Sequence, residues 1–168
     1  SGGMAIQLTE GDFNHGGSIS WAKDSQSIYF SANRHPDWQS NPLNSEIFHL
    51  TLAERKLTQL TDRNGPDSQP QLSPDGKLIA FTGFDDCKLS HQASRLYVMN
   101  IDGSNIRNLT EDLDRAIDDF QWLPNSKALY IAYDSEGKGI LAEQTIAGKR
   151  AVITSDIGGG SYGRPYSG

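Results

Sequence analysis

The sequence predicts an all-β fold: a β-propeller segment of three four-stranded antiparallel blades plus one extra strand. Three observations predict it. A weak self-similarity recurs three times at a period of about fifty residues, so one supersecondary unit is reused along the chain. Each copy pairs a turn signal with a short alternating apolar run, the mark of a strand. No segment carries an uninterrupted helical period.

The first element is the extra strand, Ile6-Gln7-Leu8-Thr9-Glu10, which matches the end of a repeat but has no preceding strands of its own. Strand one of the repeats follows as Ser18-Ile19-Ser20-Trp21, Pro70-Gln71-Leu72 and Phe120-Gln121-Trp122. A tight turn comes next, best written in Ser73-Pro74-Asp75-Gly76. Pro74 presets φ, Asp75 tolerates the bend and Gly76 suits the exit. Lys23-Asp24-Ser25 and Leu123-Pro124-Asn125-Ser126 are drifted copies of it. Strand two is Ile28-Tyr29-Phe30-Ser31, Ile79-Ala80-Phe81-Thr82 or Leu129-Tyr130-Ile131-Ala132. Strand three is Glu46-Ile47-Phe48-His49-Leu50, Arg95-Leu96-Tyr97-Val98-Met99 or Gly139-Ile140-Leu141-Ala142. A second hairpin follows, marked most clearly by Asp102-Gly103. Strand four closes on a shared tag: Leu60-Thr61-Asp62, Leu109-Thr110-Glu111 and Ile153-Thr154-Ser155.

The blades therefore run from about 18 to 62, 69 to 111 and 119 to 155, with an inter-blade link over 156–168. Residues 1–5 read as an expression remnant, because Ser1-Gly2-Gly3 precedes Met4. A ring needs roughly four to eight blades, so three form an arc whose open sheet edges want partners, a second copy among them.

Bulk properties narrow the function. The formal charge is −6 with both signs mixed, which argues against a nucleic-acid partner. No apolar run reaches spanning length, so no membrane partner is expected. The single cysteine, Cys87, forms no internal disulfide. The compartment, cytoplasm or periplasm, stays open.

Blade topology puts short hairpins on one face and long connections on the other: 11–17, 33–44, 62–69, 83–93 and 111–119. The richest is 33–44. Its Asn33, Arg34, Asp37 and Trp38 can anchor a partner or pair a ligand's charged end. The alternative is that Trp38 caps the blade edge while Arg34 pairs locally with Asp37. Asp85-Asp86 and Asp118-Asp119 read as a solvated acidic rim without metal spacing, and no cofactor or metal is expected.

Several motifs fail on inspection. Gly159-Gly160-Ser161-Tyr162-Gly163 fits the nucleophile-elbow pattern, but Arg164-Pro165 follows where a helix is required, and nothing downstream supplies an acid or base. It reads as a glycine-rich link. His15, His35, His49 and His91 show no ligand spacing, and His49 sits within a strand. Asn108-Leu109-Thr110 fits the glycosylation pattern but falls in an expected strand. No catalytic residues are assigned.

Ser73-Pro74-Asp75-Gly76-Lys77 and the stretch Leu96-Tyr97-Val98-Met99-Asn100-Ile101-Asp102-Gly103-Ser104 resemble TolB-type propeller repeats. Ser31-Ala32-Asn33-Arg34 through Asp37-Trp38, with Pro42-Leu43-Asn44-Ser45-Glu46-Ile47, resembles propellers of prolyl oligopeptidase-family serine peptidases, nearest the acylaminoacyl-peptidase-like branch. Asp156-Ile157-Gly158-Gly159-Gly160-Ser161 with Gly163-Arg164-Pro165-Tyr166 is similar to an inter-blade link there, which adds Arg164 to the candidate binding residues. The resemblance implies a propeller that precedes an α/β-hydrolase domain, gates access to its active site and helps hold peptides. It therefore implies a non-catalytic portion of a serine peptidase, with the hydrolase domain and peptides as partners. The other reading is a TolB-like protein-interaction propeller without peptidase activity.

Overall fold

The computed structural model describes residues 3–13, 15 and 17–157. They contain no helix and three four-stranded antiparallel sheets. Blade one holds β1 (Ser20–Trp21), β2 (Ser27–Ala32), β3 (Glu46–Thr51) and β4 (Lys56–Gln59). Blade two holds β5 (Asp67–Leu72), β6 (Leu78–Gly83), β7 (Arg95–Asn100) and β8 (Arg107–Asn108). Blade three holds β9 (Asp119–Trp122), β10 (Ala128–Ser135), β11 (Lys138–Thr145) and β12 (Arg150–Thr154). Strand order follows chain order in every sheet, and the three sheets stand in series without closing.

Alternation along the strands builds the blade interfaces. Ile79 and Phe81 of β6 share a face with Met99 and pack on Tyr29 and Ile47 of blade one. Ala80, Leu96 and Val98 point the other way and pack with Leu129, Ile131 and Tyr133 of blade three. Phe81 is fully buried, and truncating such a residue costs about 3–5 kcal/mol. Side chains also stitch neighbouring inner strands. Leu72 N donates to Ser20 Oγ (2.9 Å), Gln71 Nε2 to Phe120 O (3.0 Å), and Trp122 Nε1 to Gln71 O (3.0 Å).

The turn between strands one and two is built the same way three times. Ser25 N donates to Ala22 O, Gly76 N to Ser73 O and Ser126 N to Leu123 O. Asp24, Asp75 and Asn125 then accept from the amides of Gln26, Lys77 and Lys127 at 2.9, 3.1 and 2.9 Å. All three exits have positive φ, taken by glycine only in blade two and by Ser25 and Ser126 elsewhere.

Three details differ from expectation. Residues 6–10 carry no strand, because a strand exists through its ladder and no neighbouring strand pairs with this segment. The connection between strands two and three is short in blade three, where Glu136 and Gly137 both have positive φ and turn the chain in two residues. The tags lie just beyond β4 and β8, and their threonines extend the sheet by side chain. Ile47 N donates to Thr61 Oγ1, and Leu96 N to Thr110 Oγ1, both at 2.9 Å.

Candidate functional site

The long connections gather at one end of the blades and form two successive inter-blade junctions. The first lies between blades one and two and is filled. Arg63 sits two residues past the tag threonine and pairs with Asp67 at the start of β5. Its guanidinium lies 4.1 Å from the centre of the Tyr97 ring, and Nε stands 3.5 Å from Asp85. Asp67 is buried, and burial pushes its carboxyl up against the opposing pull of Arg63. The junction is tight at Gly83, where an added Cβ would collide with Asp67, Arg63 and the Pro66 carbonyl.

The second junction, between blades two and three, is open. A cleft of about 770 Å³ runs between connections 84–94 and 111–118. Tyr97, Phe84 and Leu89 give it apolar walls, Arg95 and Arg115 positive charge, and Asp118 and Asp134 negative charge. Burial raises the Asp118 carboxyl, and the charge of Asp134 adds to the shift. Among the described residues neither carboxylate has an ion-pair partner within 4.0 Å. The two junctions differ at one telling position. Two residues past Thr61 stands Arg63; two past Thr110 stands Asp112, which pairs outward with Arg150 at 2.7 Å.

The loop over residues 33–44 stands apart from this cleft. Asn33 holds its shape, donating to Asn41 O (2.8 Å) and accepting from His35 N (3.3 Å). Arg34 faces the N-terminal segment. It donates to Glu10 O (2.6 Å), contacts His15 Nε2 (2.8 Å) and lies 4.6 Å over the Phe13 ring. Burial, aided by the Arg34 charge, holds the His15 imidazole below its usual value, which keeps it an acceptor for Arg34. Among the described residues Arg34 forms no ion pair with Asp37. Asp37 is exposed and its carbonyl accepts from Ser40 N and Asn41 N, while Trp38 is half-buried. Arg164 and the Gly159-Gly160-Ser161-Tyr162-Gly163 motif lie outside the described residues. His49 stacks on Tyr29 with centroids 4.7 Å apart. The cleft was missed as a site because its walls come from separate connections. The signal was that 83–93 and 111–119 are the long connections flanking one junction.

Three four-stranded antiparallel sheets in series, each with its strands in chain order, define the chain as part of a β-propeller. The family described as Dipeptidyl peptidase IV (DPP IV) N-terminal region matches residues 1–85, half of the sequence, and the chain belongs to that family. Dipeptidyl-peptidase 5 of Porphyromonas gingivalis is 28% identical over 139 residues, covering 81% of this chain and 20% of the relative. The Tol-Pal system protein TolB of Francisella tularensis subsp. tularensis is 29% identical over 94 residues, covering 54% of this chain and 19% of the relative. The chain thus spans about a fifth of the length of the curated relatives it matches. Among solved structures, the β-propeller domain of the Trilobed protease from Pyrococcus furiosus superposes with a TM-score of 0.59 at 18% identity, over 84% of this chain and 41% of that one.

Proposed function

We propose that this chain is the non-catalytic propeller portion of a prolyl oligopeptidase-like serine peptidase, and that its loop end docks peptides and gates their access to a separate α/β-hydrolase domain. The observation that carries the reading is the open second junction. It offers both signs of charge beside aromatic and aliphatic walls, which suits a short peptide with free ends. In this reading Asp118 and Asp134 hold an amino group, and Arg95 and Arg115 a carboxylate. Asp37 and Trp38 contribute to the same loop-bearing end as an outer contact.

Calorimetric titration of the chain with tripeptides having free termini tests it. The expected result is saturable binding that falls about tenfold or more in Asp118→Asn/Asp134→Asn, as loss of a charge-assisted contact requires. Binding indifferent to that double substitution, or no binding at millimolar peptide, counts against it. The match to TolB favours a second reading, a protein-interaction propeller without peptidase activity. In that case the loop end should bind a folded protein and ignore tripeptides.

A further inference from the structure

The first junction contains a carboxylate that the docking role leaves unused. Glu46, the first residue of β3, is fully buried. One oxygen accepts from Thr61 Oγ1 at 2.5 Å. The other, Oε1, has no hydrogen-bond partner and stands 3.4 Å from His35 Nε2, itself buried and unpartnered. His35 belongs to the 33–44 loop, and its side chain is 29% exposed, so this contact separates Glu46 from solvent.

The hydrogen bonds of residues 35–43 close within the loop itself. Trp38 N donates to His35 O, Ser40 N and Asn41 N to Asp37 O, and the Asn41 carbonyl accepts from Asn33 and Asn44. Ties to the rest of the molecule come after it, where Gly65 N donates to Asn44 Oδ1 and Asp67 N to Ser45 O. The loop can therefore lift as a body if the His35 contact gives way.

We propose that this loop is a proton-operated strap, held on blade one while the Glu46 carboxyl facing His35 keeps its proton and released as rising pH removes it. Burial and one neighbouring carboxylate favour a proton on Glu46, while the other groups around it oppose. His35 faces it from the loop, Thr61 from the tag and the buried Asp67 carboxylate from β5. Arg63, a permanent cation of the junction, is committed to Asp67 and Asp85 and forms no ion pair with Glu46 among the described residues. Burial lifts the Glu46 carboxyl from 4.5 to about 7; the Thr61 hydrogen bond opposes, the Asp67 charge adds, and the neighbouring His35 opposes more weakly.

The sign follows. Lifting the loop hydrates Glu46 and returns its carboxyl to the ordinary range. Between 4.5 and about 7 the closed form holds a proton that the open form does not. Opening is thus favoured by up to about tenfold per pH unit across that window and levels off above it. Trp38 rides on the strap and is half-buried in the closed form, so neutral pH presents more of it, whereas Asp37 is exposed already. This goes beyond the docking reading and does not depend on it.

Hydrogen exchange by mass spectrometry on the full chain, from pH 5 to 8.5, tests the proposal. Each amide rate of residues 35–44 is divided by its intrinsic rate at that pH. The opening constant should rise at least about tenfold from pH 5 to 7 and then flatten, while β2 and β3 amides do not follow. In Glu46→Gln the profile should be flat. A flat wild-type profile, an unchanged rise in Glu46→Gln, or a parallel rise in β2 and β3 overturns it. Should the variant fail to fold, the carboxyl-carbon titration of Glu46 in the wild-type chain decides. A midpoint near 7 supports the strap, and one near 4.5 overturns it.

Discussion

The two inter-blade junctions occupy equivalent places in the repeat and are finished in opposite ways. In the first, an arginine two residues past the tag threonine fills the space, pairs the buried Asp67 and lies on Tyr97. In the second, Asp112 takes that position and turns outward to Arg150, leaving Asp118 and Asp134 across an open cleft. The residue two past the tag threonine differs between the filled junction and the open one. Ladder and turn chemistry set the common frame, and the residue beyond the tag sets whether the frame is plugged.

The largest effect should come from unplugging the first junction. Arg63→Met leaves Asp67 buried without its partner and should lower stability by about 3 kcal/mol, while Arg115→Met at the cleft should stay within about 0.5 kcal/mol. Urea unfolding of both variants measures the contrast, and equal losses would erase the distinction between the junctions. Next come the tag threonines. Thr61→Val removes the acceptor of Ile47 N and the donor to Glu46, for about 1–3 kcal/mol; Thr110→Val, which strands Leu96 N, should cost less. A larger loss at Thr110 would show that the tag's weight does not lie in the filled junction.

The smallest effect concerns the N-terminal segment. Arg34→Ala should change global stability by no more than about 1 kcal/mol yet speed proteolytic cleavage within residues 3–13. Because the His15 pKa is lowered in the folded chain, the tie is present above the ordinary histidine value near 6.5 and is lost as pH falls through the lower folded value. Wild-type cleavage, corrected for the protease's own pH profile, should thus accelerate in acid while Arg34→Ala shows little further change. The strap around Glu46 responds in the opposite direction, so a single pH series separates the contacts of the adjacent residues Arg34 and His35.

Much of the scaffold was legible because it rests on local chemistry. Ser73-Pro74-Asp75-Gly76 specifies its turn from residue type alone, and Asp24 and Asn125 keep the decisive acceptor where glycine is lost from both turns and proline from the first. Alternation in Ile79-Ala80-Phe81 likewise fixes which side chains meet which neighbour. The shared Leu-Thr tag was visible but not its purpose, since a threonine hydroxyl replacing a ladder bond fourteen residues away appears only once the strands pair. The extra strand at 6–10 did not form because its pattern needs a partner that local sequence does not supply. Arg34 was singled out for a ligand or for Asp37, and it instead ties Glu10 and His15, a contact set by chain return. The cleft depends on what is missing opposite Asp118, and absence leaves little pattern to read.

In the proposed function, peptides dock in the second junction of this propeller segment. Titration of the isotope-labelled chain with a tripeptide having free termini, followed by amide NMR, tests it most directly. Shifts should concentrate on Arg95, Tyr97, Asp118 and Asp134, with the Ser73–Gly76 turn at the far end of the blade unmoved. Shifts confined to the turn end or to the open edges of β1 and β12, or none at saturating peptide, would contradict it.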